Sequence, residues 1–379
     1  MRLTIKDIAQ RAGVSKTTVS FALNDPSRIS EGTYKRVMAI VEELGYVPDP
    51  VARTLTTKRL GALGLLLPQP ITEAFRNPYL CEIIRGIGEV CEPRELSLAM
   101  LPPVKGTVIE AARRAFVDGL ITIGVGPDHE VVELLHNRHI PFVTIDGQDS
   151  EATVNVGVDD EGAAFLLMRH ILELGHRRIT VLALRPETIN PPESRFSLVR
   201  DRRLSGFARA LAGSGLRLDS SGISVVPVEG SVEGGARAAA EVLADPASAP
   251  TAIVAMADVV ALGVYETCRE RGLDIPGDLS VAGFDDIPMA ALVSPPLTTV
   301  RQPGREKGQA AALLVIELLE GEEAAHRCLE TALAARASTA APREAATVPG
   351  AARAAPNSPT AGPGAANAAI DAVTSPSRA

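Results

Sequence analysis

The sequence contains no tryptophan and few sulfur ligands, with only four cysteines in 379 residues. Cys81, Cys91, Cys268 and Cys328 lack the paired spacing of a metal site or a disulfide framework, so we expect each to be a buried thiol. The six histidines form no His-Glu-x-x-His or Cys/His pattern, and we predict no metal site. The lack of tryptophan also removes the largest aromatic surface on which a ligand ring could stack.

Long apolar runs are missing as well. An apolar run such as Leu63 to Leu67 is far shorter than the roughly 20 residues that a membrane helix needs. Lys6 and Asp7 stand where a secretory signal would have its apolar core. We therefore expect a cytoplasmic protein with no membrane partner.

Sequence patterns of catalysis are also absent. The chain has no Gly-x-Gly-x-x-Gly, no Walker phosphate loop and no Gly-x-Ser-x-Gly turn around a nucleophile. Apolar residues make up 46% of the chain, which is enough for buried cores. We predict a globular protein that is not an enzyme and has neither catalytic residues nor cofactors.

Charge is distributed unevenly along the chain. The net charge is −8, but residues 1–60 hold ten Lys/Arg against six Asp/Glu, leaving 28 against 40 for the remainder. The first segment is therefore +4 and the rest −12. A basic head can neutralise phosphates, while an acidic body opposes indiscriminate coating of DNA.

The first 47 residues have the pattern of a small helical domain. Apolar spacing predicts helices over 4–11, 15–23 and 31–44. Gly13 suits the turn between the first two helices, and Gly45 suits the end of the third. We predict an all-α helix-turn-helix head over residues 1–47.

The second helix carries short polar side chains, as a reader of the major groove requires. With Val19, Ala22 and Leu23 in the core, its other face points outward, and Lys16 and Thr17 are the candidates for reading bases. The alternative is that these are only solvated residues of a helical bundle. The predicted DNA contacts of the head are Thr4, Ser15, Lys16, Thr17, Ser20, Phe21, Asn24 and Ser30.

From residue 61 onward short apolar strands alternate with helical segments, which indicates parallel sheets. The predicted strands are 62–67, 97–101, 119–123, 142–145, 178–182, 223–226, 252–255, 279–282 and 297–300. Nine strands suit two sheets better than one. We predict a two-lobed domain over 61–341 and a disordered tail over 342–379, which is rich in Ala, Pro, Gly, Ser and Thr.

Two groups of residues carry a resemblance to a known family. Residues 4–24, 28–30 and 43–55 strongly resemble the lactose/galactose repressor (LacI/GalR) family, and so do the body segments 173–179, 275–288 and 295–302. The resemblance implies a periplasmic-binding-protein-like body of two doubly wound parallel-sheet lobes. It also implies a homodimeric, nucleoid-associated repressor that binds a pseudo-palindromic operator and senses a small molecule, such as a sugar, between the lobes.

The resemblance also implies that residues 48–60 are a hinge helix and linker, in which the segment Asp49 to Leu55 forms a helix on DNA. Asp49 is placed as its cap and Pro50 in its first turn. Ala52, Arg53 and Leu55 are then predicted DNA contacts, with Leu55 inserted between base pairs in the minor groove.

One position of the head departs from the family. Many members have an arginine where Phe21 stands, and arginine can make a bidentate contact to guanine. Phe21 could instead touch a thymine methyl group or pack inward. The operator sequence therefore does not carry over from better-known members.

Effector contacts are predicted at the ends of strands. Asp146 and Asp285 each follow a strand, and the resemblance adds Arg203, Tyr79 and Asp258. Each has an ordinary alternative, such as capping a loop, pairing with a surface acid or packing in the core.

Two departures weaken the assignment of a sugar. Ala257 replaces a ligand-binding asparagine of the family, and Gly230 stands where several members place an aromatic wall.

Two further alternatives stay open at this point. A transporter's solute-binding protein would share the body but not the basic head, so only a DNA-binding regulator uses both ends of the chain. The effector could act as an inducer or as a corepressor, because either ligand can shift a two-state equilibrium.

Overall fold

The computed structural model describes residues 3–47, 59–105, 107–185 and 198–343. Ala52, Arg53 and Leu55 of the predicted hinge, and the predicted tail after residue 343, lie outside the described residues. The boundaries 1–47, 48–60, 61–341 and 342–379 stay predictions.

The head is a bundle of three helices, α1 (Ile5–Ala12), α2 (Lys16–Asn24) and α3 (Glu31–Glu43). Their apolar faces enclose a small core that includes Ile8 and Val19, both fully buried. The predicted helices are therefore present to within a residue or two at their ends.

Turn residues fix the ends of these helices. Gly13 and Gly45 both adopt left-handed backbone, with φ of 65° and 58°, which glycine tolerates without steric cost. The hydroxyls of Ser15 and Ser30 accept backbone N–H groups of the first turns of α2 and α3.

The body contains twelve strands and nine helices among the described residues. The strands are β1 (Ala62–Leu66), β2 (Ser97–Leu101), β3 (Gly119–Ile123), β4 (Phe142–Ile145), β5 (Val154–Val158), β6 (Ile179–Leu184), β7 (Ile223–Val228), β8 (Ala252–Ala255), β9 (Ser280–Asp285), β10 (Thr298–Arg301), β11 (Arg327–Leu329) and β12 (Ala332–Ala334). The helices are α4 (Ile71–Ala74), α5 (Pro78–Cys91), α6 (Val108–Arg114), α7 (Glu130–Asn137), α8 (Asp160–Glu173), α9 (Val199–Gly213), α10 (Val232–Val242), α11 (Asp258–Arg271) and α12 (Gly304–Glu320).

The strands form two six-stranded sheets of the same design. Their orders are β11-β5-β4-β3-β1-β2 and β12-β10-β9-β8-β6-β7, and all neighbours are parallel except β10 and β12. Helices pack on both sheets, so each sheet and its helices make one doubly wound lobe. The predicted fold class is confirmed.

All nine predicted strands are present, and three more were missed. The missed strands are β5, in which valines alternate with an asparagine and a glycine, and the three-residue strands β11 and β12. The latter two lie at the sheet edges opposite β2 and β7, where pairing with a distant strand, not local sequence, makes them strands. The antiparallel edge at β12 is likewise a departure from the all-parallel expectation.

The chain passes between the lobes three times within the described residues. It crosses after β5, after β10 and between β11 and β12. The second crossing brings α12 back onto β3, β4 and β5 of the first lobe, so side chains that follow β10 stand between the two sheets.

Glycines allow helices α5 and α12 to approach closely. A Cβ added to Gly86 would lie 1.9 Å from the carbonyl oxygen of Arg305, and one added to Gly308 would lie 2.1 Å from that of Ile83. Neither obstacle is a flexible side chain, so a larger residue must push the helices apart.

No helix of the described residues combines the length and hydropathy of a membrane span.

We expect Gly86→Ala to lower the free energy of unfolding by about 1–3 kcal/mol, because the methyl group would overlap backbone of α12. Gly88→Ala is the matched control in the same helix. Its Cβ would meet nothing within 4 Å, so alanine's higher helix propensity should leave stability unchanged or raise it by up to about 1 kcal/mol. Urea unfolding measures both, and equal effects would contradict the close approach.

Candidate effector cavity and DNA-reading surface

A cavity of about 230 Å³ lies between the two lobes, where strands from both sheets end. Parallel strands place their carboxyl ends and following loops at one edge of a sheet, and here the two edges face each other. The residues that line the cavity include Tyr79, Asp146, Arg203, Ala257, Asp285 and Gln302. Four of the five predicted effector contacts therefore meet in one cavity.

The two strand-end carboxylates have unusual backbone. Asp146 follows β4 with φ 55°, and Asp285 ends β9 with φ 132°. Left-handed backbone is uncommon for residues with a side chain and is found more often at ligand sites. Both carboxylates are at least nine-tenths buried, so their positions are set by the surrounding structure.

A buried lysine that the sequence reasoning missed joins these carboxylates. The Lys307 ammonium is fully buried and donates to Asp146 Oδ1 (2.5 Å), to the Tyr79 hydroxyl (2.8 Å) and to Gln302 Oε1 (2.9 Å). The Gln302 amide then donates to Asp285 Oδ1 at 2.5 Å. This chain of contacts, the interlobe network, runs from β4 of one lobe to β9 of the other.

Arg203 is held from the second lobe by a separate set of contacts. Its Nε donates to Asp160 Oδ1 at 2.9 Å, its Nη1 donates to the carbonyl of Met256, and its guanidinium lies 3.6 Å from the centroid of the Phe284 ring. Burial by itself would lower the pKa of Arg203, but the charges of Asp160 and Asp285 raise it above the ordinary value. The cavity thus holds a fixed cation on one wall.

Burial changes the acidity of the cavity groups. It raises the pKa of Asp285 to about 8, against the opposing charge of Arg203. The pKa of Tyr79 is raised well above its usual value by burial and then by the charge of Asp146. Asp285 therefore binds a proton far more readily than an exposed carboxyl does, and Tyr79 stays a hydroxyl donor.

Asp258 is the predicted effector contact that does not line this cavity. Its fully buried carboxylate accepts the Thr299 hydroxyl at 2.6 Å and the backbone N–H of Ile287 at 3.0 Å. Burial raises its pKa to about 6. These contacts use Asp258 to hold the loop after β9, and the neighbouring Ala257 reaches the cavity in its place.

Five of the predicted DNA contacts lie on α2. Lys16 and Thr17 are exposed in the first turn of α2, and Ser20 and Phe21 are half-buried one turn later. The Asn24 amide donates back to the carbonyl of Ser20 at 3.0 Å. The outward face of α2 therefore has the composition of a reading surface.

The caps of the other helices use two more predicted contacts. The Thr4 hydroxyl donates to Asp7 at 2.7 Å, and Ser30 caps α3. The Thr4 N–H also donates to Asp7, at 2.9 Å, so both donors of Thr4 are used within the head.

Family models match both parts of the chain. The model of bacterial regulatory proteins of the lacI family matches residues 4–49, and that of a periplasmic binding protein-like domain matches residues 168–339. An HTH-type transcriptional regulator of Mycolicibacterium smegmatis is 32% identical over 353 residues, which cover 85% of this chain and 94% of the relative. The chain belongs to the LacI family.

Another relative of this LacI-family protein is the HTH-type transcriptional repressor PurR of Aliivibrio fischeri. It is 32% identical over 338 residues, or 86% of this chain and 95% of that protein. The predictions of a DNA-binding transcriptional regulator and of a protein that is not an enzyme are confirmed by these relatives. Regulators of this family bind operator DNA and small-molecule effectors.

Solved structures share the fold of this LacI-family regulator. A lac repressor dimer bound to operator and the anti-inducer ONPF has a TM-score of 0.75 at 25% identity, covering 90% of this chain and all of that one. A LacI-family regulator of Enterococcus faecium with bound ribose has a TM-score of 0.62 at 30% identity, covering 74% and 99%.

We expect Lys307→Met to lower the free energy of unfolding by about 3–5 kcal/mol, because it leaves the Asp146 carboxylate buried without its cation. Adding Asp146→Asn should restore much of the loss. Arg305→Met is the matched control on the same helix, because its ion pair with Glu89 is solvent-accessible and should contribute little to stability. Chemical unfolding of wild type and these three variants measures the effect; a loss no larger than the control's would contradict the role of Lys307.

The acidity of Asp285 predicts a dependence of stability on pH. A carboxyl with a raised folded-state pKa binds its proton more tightly in the native state, so the wild type loses stability as pH rises from about 4 to about 8. Asp285→Asn cannot titrate. Its free energy of unfolding, relative to wild type, should therefore rise by more than about 1 kcal/mol between those pH values. Urea unfolding across this range tests it, and a constant difference would contradict the raised pKa.

Proposed function

We propose that this regulator represses transcription as a homodimer on a pseudo-palindromic operator, and that a small hydroxyl-rich effector in the interlobe cavity controls its binding. The observation that carries the proposal is the interlobe network, which joins carboxylates of both lobes at one cavity. A ligand that contacts Asp146 and Asp285 contacts both lobes at once. Its binding is therefore linked to their arrangement.

The chemistry of the cavity favours hydroxyl groups. Asp146 and Asp285 offer acceptors, Arg203 offers a fixed donor, and Tyr79 offers an apolar ring. The volume of about 230 Å³ is below the roughly 300–1,000 Å³ of clefts for drug-sized ligands, so we propose an effector about the size of a monosaccharide. The ribose-bound E. faecium regulator supports this class. Ala257, in place of a polar side chain, leaves this wall less selective.

On the DNA side, we propose that Lys16 and Thr17 read bases while Ser15, Thr4, Ser30 and Asn24 position the head on phosphates. The exposed N-terminal turn of α2 supports this assignment, since that end of a recognition helix enters the major groove. For the hinge, we propose that Ala52, Arg53 and Leu55 contact the minor groove.

Apolar surface supports the homodimer. Phe75 after α4 is 55% exposed, and Leu292 after β9 is 76% exposed, so each lobe presents large apolar side chains to solvent. Such side chains are common at protein interfaces. The lac repressor dimer on operator has the same fold over 90% of this chain.

The experiment that tests the proposal combines ligand screening with DNA binding. Sugars, polyols and nucleosides are screened by thermal shift against wild type, Asp285→Asn and Asp286→Asn. Asp286→Asn is the control, because the wild-type Asp286 carboxylate pairs with Arg336. We expect at least one compound to stabilise wild type and Asp286→Asn but not Asp285→Asn. The same compound should change the affinity of wild type for a duplex selected from a randomised library. Equal thermal shifts for all three proteins would contradict effector binding in the interlobe cavity.

A further inference from the structure

The recognition helix has an aromatic ring where a long polar donor would be expected. Phe21 lies four residues after Thr17, and residues four apart share one face of a helix. The ring is half-buried and cannot donate hydrogen bonds to a base edge. At this position, α2 by itself therefore offers no hydrogen-bond donor to a base.

A guanidinium from outside the helix lies over this ring. The Cζ of Arg28, from the short 3-10 helix Pro26–Arg28 that follows α2, stands 5.3 Å from the centroid of Phe21. A cation–π contact of this kind helps to orient a guanidinium and restrict its motion. The side chain of Arg28 is still 64% exposed, so it can reach a partner.

Asp25 holds the other side of the same guanidinium. Its Oδ2 contacts Arg28 Nε at 2.8 Å, and its Oδ1 accepts the Ser27 hydroxyl at 2.5 Å. The Ser27 hydrogen bond first, and the charge of Arg28 after it, lower the pKa of Asp25 and keep it ionised. Because the 2.8 Å contact with Asp25 uses Nε, the two Nη groups are left to donate to a partner.

From this geometry we infer that Arg28, stacked on Phe21 and held by Asp25, reads a guanine in the major groove and is a specificity-determining residue of the head. Arginine matches the O6 and N7 acceptors of guanine with two parallel donors, a geometry that lysine cannot reproduce. Phe21 is then a positioning residue. The inference rests on the proposed function and names one base contact within it.

The experiment selects binding sites from a randomised duplex library with the full-length protein. Wild type, Arg28→Lys and Phe21→Leu are compared with Arg11→Lys. Arg11 is the matched control because it is also exposed and pairs with a carboxylate, Glu43 at 2.6 Å, but lies on α1 away from Phe21. Both lysine variants keep the charge, so a loss of phosphate attraction cannot explain a difference between them.

We expect wild type and Arg11→Lys to select the same motif. Arg28→Lys should lose the preference for guanine at one position of each half-site, by about 5- to 150-fold in competition, with the salt dependence unchanged. Phe21→Leu should weaken the preference at that same position, because the guanidinium loses its stacking surface. Circular dichroism checks that each variant is folded.

Two outcomes would overturn the inference alone. If Arg28→Lys selects the wild-type motif, Arg28 contacts only phosphate or no DNA. If Phe21→Leu changes a different position, the stacking does not position Arg28. If wild type itself selects no motif, the proposed function fails together with the inference.

Discussion

The body depends on the fate of two buried carboxylates, Asp146 and Asp285, which stand at strand ends in different lobes. An ionised carboxylate in a buried site is costly unless it is paired and hydrogen-bonded. Lys307 pairs with the Asp146 carboxylate, whereas Asp285, whose pKa burial raises to about 8, accepts a hydrogen bond from Gln302; Gln302 and Lys307 follow the crossing that joins the lobes. The link between the lobes is therefore made by charged and polar groups, which a polar ligand can join or replace.

The rest of the body keeps these groups in place. The glycine contact between α5 and α12 fixes the helix that carries Lys307 against the first lobe. In the second lobe, Asp258 ties α11 to the loop after β9 through Ile287 and to β10 through Thr299. Strained backbone at Asp146 and Asp285 is held between these fixed elements, as expected where a site is organised before its ligand arrives.

The head follows a related logic on a smaller scale. Its core is small, so serine and threonine caps and glycine turns define the ends of its helices. This leaves the outer face of α2 free for recognition. The pair of Arg28 and Phe21 extends that face beyond the helix without a change of fold.

Features that depend on neighbours in the chain were determined by the sequence alone. Helical spacing and caps defined the three head helices, and runs of apolar residues defined nine strands with Asp146 and Asp285 at their ends. Such patterns are local, because a helix or a strand repeats its burial every few residues. The family resemblance then supplied Tyr79 and Arg203.

Only the tertiary structure decided what distant residues do together. Lys307 has no signal in a sequence, because its burial depends on Asp146 more than 150 residues away along the chain. Packing likewise decides three other features. It pairs the edge strands β11 and β12, it places Asp258 outside the cavity lining, and it sets Arg28 over the Phe21 ring. The physical reason is that a side chain's environment is set by the residues that fold against it, and local periodicity does not encode them.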